Sequence, residues 1–111
     1  MSAKVILIQS EVLGRGDDEL GMMLMANFLR RLGESQDKPD ALVFWNTGVR
    51  LVCEGSWALG HLQKLENQGV EILACGTCLD YFDLKDKLLV GKPTTMVKSI
   101  ETMFSTDMIC L

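Results

Sequence analysis

VEILACGTCLDYF, residues 70–82, runs an apolar segment into two cysteines, Cys75 and Cys78, separated by Gly76 and Thr77. Val70 to Ala74, apolar apart from Glu71 near its start, has the length and character of a strand covered on both faces. Such strands belong to parallel sheets, where helices pack on either side. The residues before it agree. Ala58, Leu62 and Leu65 recur at helical spacing after Ser56, a candidate cap. Gln68-Gly69-Val70 reads as a Schellman stop between that helix and the strand. A short helix from Cys78 to Phe82 follows the thiols.

The same alternation extends in both directions. Val5 to Gln9 and Ala41 to Trp45 read as two further buried strands. Between them, Asp17, Asp18 and Glu19 suit the positive end of a helix dipole. Leu20, Leu24, Phe28 and Leu32 then recur every four residues, with Met23 beside them, and Gly33 reads as the C-cap. Met25 and Leu29 fall off that stripe, and the surplus predicts a subunit contact. Asn46, Thr47, Gly48 and Val49 form a turn after the second strand. Lys87 to Gly91 reads as a fourth strand. Thr94 or Thr95 caps a last helix that carries Val97, Ile100 and Phe104 on one face. Asp107 to Leu111 closes the chain as an edge or fifth strand. The pattern predicts one α/β domain over residues 1–111, a flavodoxin-like three-layer sandwich with a mostly parallel five-stranded sheet.

Composition narrows the function. With 48% hydrophobic and 23% charged residues, the 111-residue chain is ordinary for a globular protein. A net charge of −4 argues against nucleic acid and against an anionic membrane surface, both of which require clustered Lys and Arg. MSAKVILIQSE lacks the cleavage pattern of a signal peptide, and no apolar run reaches bilayer-spanning length. The expectation is a cytoplasmic protein whose four cysteines are reduced.

In open parallel sheets, ligands bind at the carboxyl ends of strands. A flavodoxin-like order makes the first and third strands neighbours. It thereby brings the glycine loop with Arg15 and Gly16 beside the paired thiol. Gly76 permits a sharp turn and leaves room at the sulfur, and Thr77 is placed to cap the short helix. Amides of Thr77, Cys78 and Leu79 aimed at Cys75 favour its thiolate, with Cys78 as a less exposed second thiol. Arg15 is the candidate cation, opposed by Asp17 and Asp18. Asn46 supplies an unusual dihedral in its turn and a candidate wall of the crevice.

VLGRGDDELG, FWNTGVRLVCEGS and VEILACGTCLDYFDLKDKLLVGK together resemble the DsrE/DsrF-like family, and most of all the C-terminal domain of YedF-type selenium-metabolism proteins. The likeness runs from Val5 to the C-terminus. It implies a flavodoxin-like fold, homo-oligomerisation, and a persulfide carried on the cysteine after the third strand, here Cys75. The implied function is sulfur or selenium transfer, with a TusA-like carrier as donor or acceptor. YedF-type proteins have a TusA-like domain before this one. The present sequence contains none, so the relay partner is expected to be a separate protein. The family's last helix commonly opens Asn-Met-Tyr, whereas Thr95-Met96-Val97 stands here.

Other readings of the thiols are a thioredoxin-like redox pair, a zinc site and an inert interaction module. The first requires the motif at the opening of a first helix with a facing proline, and only Pro39 and Pro93 are present. Closed zinc sites take four ligands, so Cys53, Cys110 or His61 must join Cys75 and Cys78. Cys53 and Cys110 read as core thiols and His61 as a surface residue. No cofactor is implied. GRGD lacks the lysine and hydroxyl of a phosphate loop.

Overall fold

A computed structural model describes residues 3–111. The elements in chain order are β1 (Lys4–Ile8), α1 (Asp18–Glu34), β2 (Ala41–Phe44), a 3-10 segment (Asn46–Val52) and α2 (Leu59–Asn67). There follow β3 (Glu71–Cys75), α3 (Gly76–Tyr81), a 3-10 turn (Lys85–Lys87), β4 (Lys92–Thr94), α4 (Met96–Ser105) and β5 (Asp107–Cys110). The strands form one sheet in the order β4-β3-β2-β1-β5, and every pairing is parallel. Helices and sheet make the three-layer α/β sandwich that the alternation predicts.

Side chains alternate across the sheet, so each strand feeds two cores. Ile6, Ile8, Leu42, Phe44, Ile72 and Ala74 face one side, where Met25 and Leu29 of α1 and Leu62 and Leu65 of α2 pack on them. Val5, Leu7, Ala41 and Val43 face the other. All of β2 is buried, which is why its sequence shows no polar alternation. Each fully buried large side chain contributes about 1.5–3 kcal/mol.

The strand order differs from a flavodoxin-like one. β2 lies between β1 and β3, and β5 pairs with the free side of β1. The fourth strand is also displaced. Lys87 to Gly91 does not enter the sheet: the amides of Leu89 and Val90 donate to the Val52 carbonyl, and Leu88 bridges Cys53 in antiparallel fashion. After Gly91, at φ +79°, the chain turns into β4. Pro93 has no N–H to donate, which an edge strand tolerates.

Helix α1 is rotated from the expected stripe. Its buried residues are Gly21, Met25, Leu29 and Gly33, while Leu20, Met23 and Leu24 are exposed. Gly21 accounts for this: a Cβ there would lie 2.8 Å from the Val12 Cβ, whereas one on Gly33 would meet the Lys64 stem at an ordinary 3.5 Å. The helix passes close to the preceding loop at a residue without a side chain, which a hydrophobicity count does not register. Gly33 lies within α1, and Ser35 is the C-cap. Asp17 caps the start, its Oδ1 accepting from the Leu20 amide at 2.8 Å.

Ser56 closes a turn by accepting from the Ala58 amide, and α2 begins three residues on. The stop of α2 follows the sequence reading. Val70 N–H donates to the Leu65 carbonyl, Gly69 N–H to that of Glu66, and Gly69 has φ +97°. Thr95 caps α4 by accepting from the Lys98 amide. Val97, Ile100 and Phe104 do share a face of α4, but that face points to solvent.

One contact governs how the loop after β2 sits. A Cβ on Gly48 would lie 2.6 Å from the Ile8 carbonyl oxygen, backbone against backbone. Gly60 is exposed on α2 with nothing near its Cβ position. We predict that Gly48→Ala lowers unfolding free energy by about 1–3 kcal/mol through overpacking. Gly60→Ala should raise it by about 0.5–1 kcal/mol through helix propensity. Urea denaturation of the two variants checks both signs.

Candidate thiol site

β3 ends at Cys75, and α3 begins at the next residue. The N-cap of this short helix is Cys75 itself, not Thr77: its Sγ accepts from the Cys78 amide at 3.3 Å. Of the three amides expected around Cys75, that of Cys78 makes the bond. Gly76 lies close to β4, since a Cβ there would sit 3.3 Å from the Thr94 carbonyl oxygen, a tight contact.

A second amide reaches the other sulfur. Asn46 N–H donates to Cys78 Sγ at 3.1 Å. Asn46 holds the left-handed conformation at φ +52°, which asparagine tolerates better than most residues. Its Oδ1 accepts from the Thr47 amide at 2.8 Å. On its N-terminal side, Trp45 N–H is tied to the Ile8 carbonyl at 2.9 Å. On its C-terminal side, Gly48 packs on the same carbonyl. The bond to Cys78 is therefore held by the ends of β1 and β2 together.

Exposure of the two thiols reverses the sequence expectation. Cys75 is 8% exposed, whereas Cys78 is half-buried. A cavity nonetheless reaches both. It has a volume of about 280 Å³, and its wall includes Gln9, Trp45, Asn46, Thr77 and Met96. A neighbouring cavity of about 430 Å³ shares Asn46, Thr77 and Cys78 and adds Tyr81 and Phe82. Burial pushes the Cys78 thiol above the ordinary thiol range, and the adjacent Cys75 thiol raises it further by hydrogen bonding and charge. The Asn46 amide acts in the opposite direction.

Arg15 and Gly16 line neither cavity. With β2 between β1 and β3, the glycine loop is not beside the thiols, and β1 reaches them through Gln9 instead. A cation that touches the wall is Arg50, which the sequence reading did not single out. Its guanidinium lies 4.6 Å from the centre of the Phe82 ring and pairs with Glu11 at 3.3 Å. Phe82 in turn meets Tyr81 edge to face at 5.2 Å. Gln9, Trp45, Tyr81 and Phe82 were also missed. They sit at ends of elements where no periodicity marks them. Met96 had one signal, its place in the opening of the last helix.

Among the described residues, no three His, Cys, Asp or Glu side chains gather as metal ligands. Cys53 is buried and donates its S–H to the Val49 carbonyl at 3.2 Å. Cys110 is exposed on β5, not in the core as expected, and His61 is half-buried on α2. No helix among the described residues is long and apolar enough to cross a membrane.

No protein-family model matches the chain, and a search of curated proteins finds no match. Solved structures do match. MTH1491 of Methanobacterium thermoautotrophicum, a protein of unknown function, is 23% identical with a TM-score of 0.71, over 100% of both chains. The ychN protein of E. coli is 19% identical with a TM-score of 0.75, again over 100% of both. BT1422 of Bacteroides thetaiotaomicron, a conserved protein of unknown function, is 12% identical with a TM-score of 0.65, covering 97% of this chain and 94% of the other. These likenesses establish a shared fold.

Two predictions follow from the site. Asn46→Ala, which keeps φ positive without a side chain suited to it, should cost about 1–2 kcal/mol, and Asn46→Gly clearly less. Urea denaturation measures both. Cys75→Ser removes one cause of the raised Cys78 pKa and leaves burial in place. The pH profile of Cys78 alkylation, followed by mass, should move to lower pH without falling below the ordinary thiol range.

Proposed function

We propose that the chain carries sulfane sulfur, or its selenium counterpart, as a persulfide on Cys75 and passes it to a partner protein. The observation that carries this reading is a pair of neighbouring thiols, each sulfur accepting a backbone amide, both lining one cavity at the end of a sheet strand. The resemblance to DsrE/DsrF-like proteins supports it. A soluble cytoplasmic setting and a TusA-like donor or acceptor belong to the same proposal.

The chemistry needs no cofactor. The Cys75 thiolate attacks the outer sulfur of a donor persulfide. A new S–S bond forms on Cys75, the donor's S–S bond breaks, and the donor leaves as a thiolate. An acceptor thiolate repeats the displacement in the opposite sense. Sulfur moves at an unchanged oxidation level in both steps.

Cys78 supplies the alternative exit. Its raised pKa keeps it protonated near neutral pH. With its proton transferred to the departing sulfur, it attacks the inner sulfur of the Cys75 persulfide. The products are a Cys75–Cys78 disulfide and hydrogen sulfide, so atoms and electrons balance. The disulfide is the protected form of the site, reopened by an external thiol.

Intact-mass measurement after incubation with a low-molecular-weight persulfide tests the proposal. Wild type should gain one sulfur. Cys75→Ser should gain roughly tenfold less or none, because the thiolate at that position is the acceptor. Cys78→Ser should load and then hold its sulfur longer than wild type, having lost the internal exit. A wild type that never gains sulfur, or a Cys75→Ser variant that loads as readily, overturns the assignment and favours an interaction module with inert thiols.

A further inference from the structure

The two thiols are not reached alike. Cys75 is 8% exposed and lines one cavity, the narrower one of about 280 Å³, with Trp45 and Met96 in its wall. Cys78 lines that cavity and also the wider one of about 430 Å³, bounded by Tyr81 and Phe82. Asn46, Thr77 and Cys78 belong to both linings and form the partition between them. Tyr81 is 81% exposed, so the wider cavity opens to solvent along that side chain. The backbone donors differ too. Asn46 N–H serves Cys78 Sγ at 3.1 Å, and Cys78 N–H serves Cys75 Sγ at 3.3 Å.

We propose that the pair works as a two-step relay: sulfur loads on Cys75 from a small persulfide through the Trp45–Met96 cavity, moves to Cys78, and leaves through the Tyr81–Phe82 cavity for a thiol borne on a macromolecule. This deepens the carrier reading and rests on it. Access sets the direction. The narrower cavity is about the size of a small-molecule site. A thiol fixed on a protein surface cannot follow a small molecule into it, but it meets a half-buried sulfur beside the wider opening. Reactivity agrees. Burial and the adjacent Cys75 thiol raise Cys78 above the ordinary thiol range, so it is a poor direct acceptor from solvent despite its greater exposure. Its sulfur comes from Cys75.

In the internal step, Cys78 Sγ attacks the outer sulfur of the Cys75 persulfide. The bond from Cys78 to that sulfur forms, the bond from Cys75 to it breaks, and the Cys78 proton passes to the departing Cys75 Sγ. Sulfur keeps its oxidation level, so no oxidant or reductant is needed. The Cys78 amide points at the departing sulfur and stabilises the charge that develops there. The acceptor thiolate then takes the outer sulfur from Cys78, which leaves as a thiolate and regains a proton from water. Asn46 N–H holds Cys78 Sγ at the partition, where one sulfur serves both cavities. Attack on the inner sulfur gives the disulfide and hydrogen sulfide instead, so the two routes differ in their products.

Single-turnover discharge of the full chain tests the relay, after loading with cysteine persulfide. Free cysteine serves as the small acceptor and a thiol-terminated polyethylene glycol as the bulky one. Wild type should deliver sulfur to both. Alkylation at timed intervals, followed by tandem mass spectrometry, should find the extra sulfur first on Cys75 and then on Cys78. Cys78→Ser should load and deliver to cysteine, which is small enough to reach Cys75. It should deliver to the bulky thiol at least about tenfold more slowly than wild type, because the sulfur stays out of reach. Met96→Trp fills the narrower cavity from a position that is 53% exposed and so tolerates the change. It should slow loading by about tenfold and discharge to the bulky thiol by less. Sulfur that stays on Cys75, or a Cys78→Ser variant that serves both acceptors as wild type does, overturns the relay and leaves the carrier reading standing. A Met96→Trp variant that loads at the wild-type rate overturns the entry path. A wild type that never gains sulfur overturns the carrier reading and the relay together.

Discussion

The approach of Gly48 to the carbonyl of Ile8 is the constraint on which the site depends. A Cβ at that position would sit 2.6 Å from the oxygen, so only glycine lets the segment after β2 lie down on the end of β1. The same oxygen accepts the Trp45 amide. Between these two attachments the chain has two residues in which to reverse, and the first of them, Asn46, takes a positive φ. Its amide then faces Cys78. A backbone packing requirement two strands away from the thiols thus fixes a hydrogen bond to one of them.

The thiols are organised by backbone and not by charged side chains. Each sulfur accepts one amide, and no lysine or arginine lines either cavity. Arg50 acts one layer out, stacked on Phe82 and paired with Glu11. Amide dipoles fixed by secondary structure do not reorganise when a sulfur changes its bonding. On the proposed carrier reading, that suits them to a sulfur that changes its bonding partner. The aromatic and apolar wall from Trp45, Met96, Tyr81 and Phe82 provides a low-polarity setting for a neutral or soft sulfur ligand.

Parts of the fold were legible because local chemistry and tertiary structure agree. β1, β2 and β3 lie in the middle of a sheet covered on both faces, and apart from the charged residues that open β1 and β3 they are apolar runs. The stop at Gly69 is a local motif that closes on itself within six residues. Legibility failed where tertiary contact overrode local pattern. In α1, Leu20 and Leu24 outrank Gly21 on any hydrophobicity scale, yet Gly21 is buried because the helix must pass close to Val12. At Lys87 to Gly91, apolar residues that read as a strand instead pair with the end of the 3-10 segment at Val52. Helix α4 has a clear apolar stripe, but a stripe does not say whether it turns toward its own sheet or away from it.

The sequence by itself determined the α/β alternation, the parallel sheet and the position of the paired cysteines at the end of the third strand. These follow from periodicity, glycine stops and strand length, which act over a few residues. Tertiary structure decided the order β4-β3-β2-β1-β5, and with it which loops meet the thiols. It replaced Arg15 and Gly16 by Gln9, Trp45 and Met96, made Cys75 its own helix cap, and left Cys78 the more exposed sulfur. The physical reason is that strand order and side-chain burial are set by contacts between residues far apart in the chain, and the spacing of residues along it does not encode those contacts.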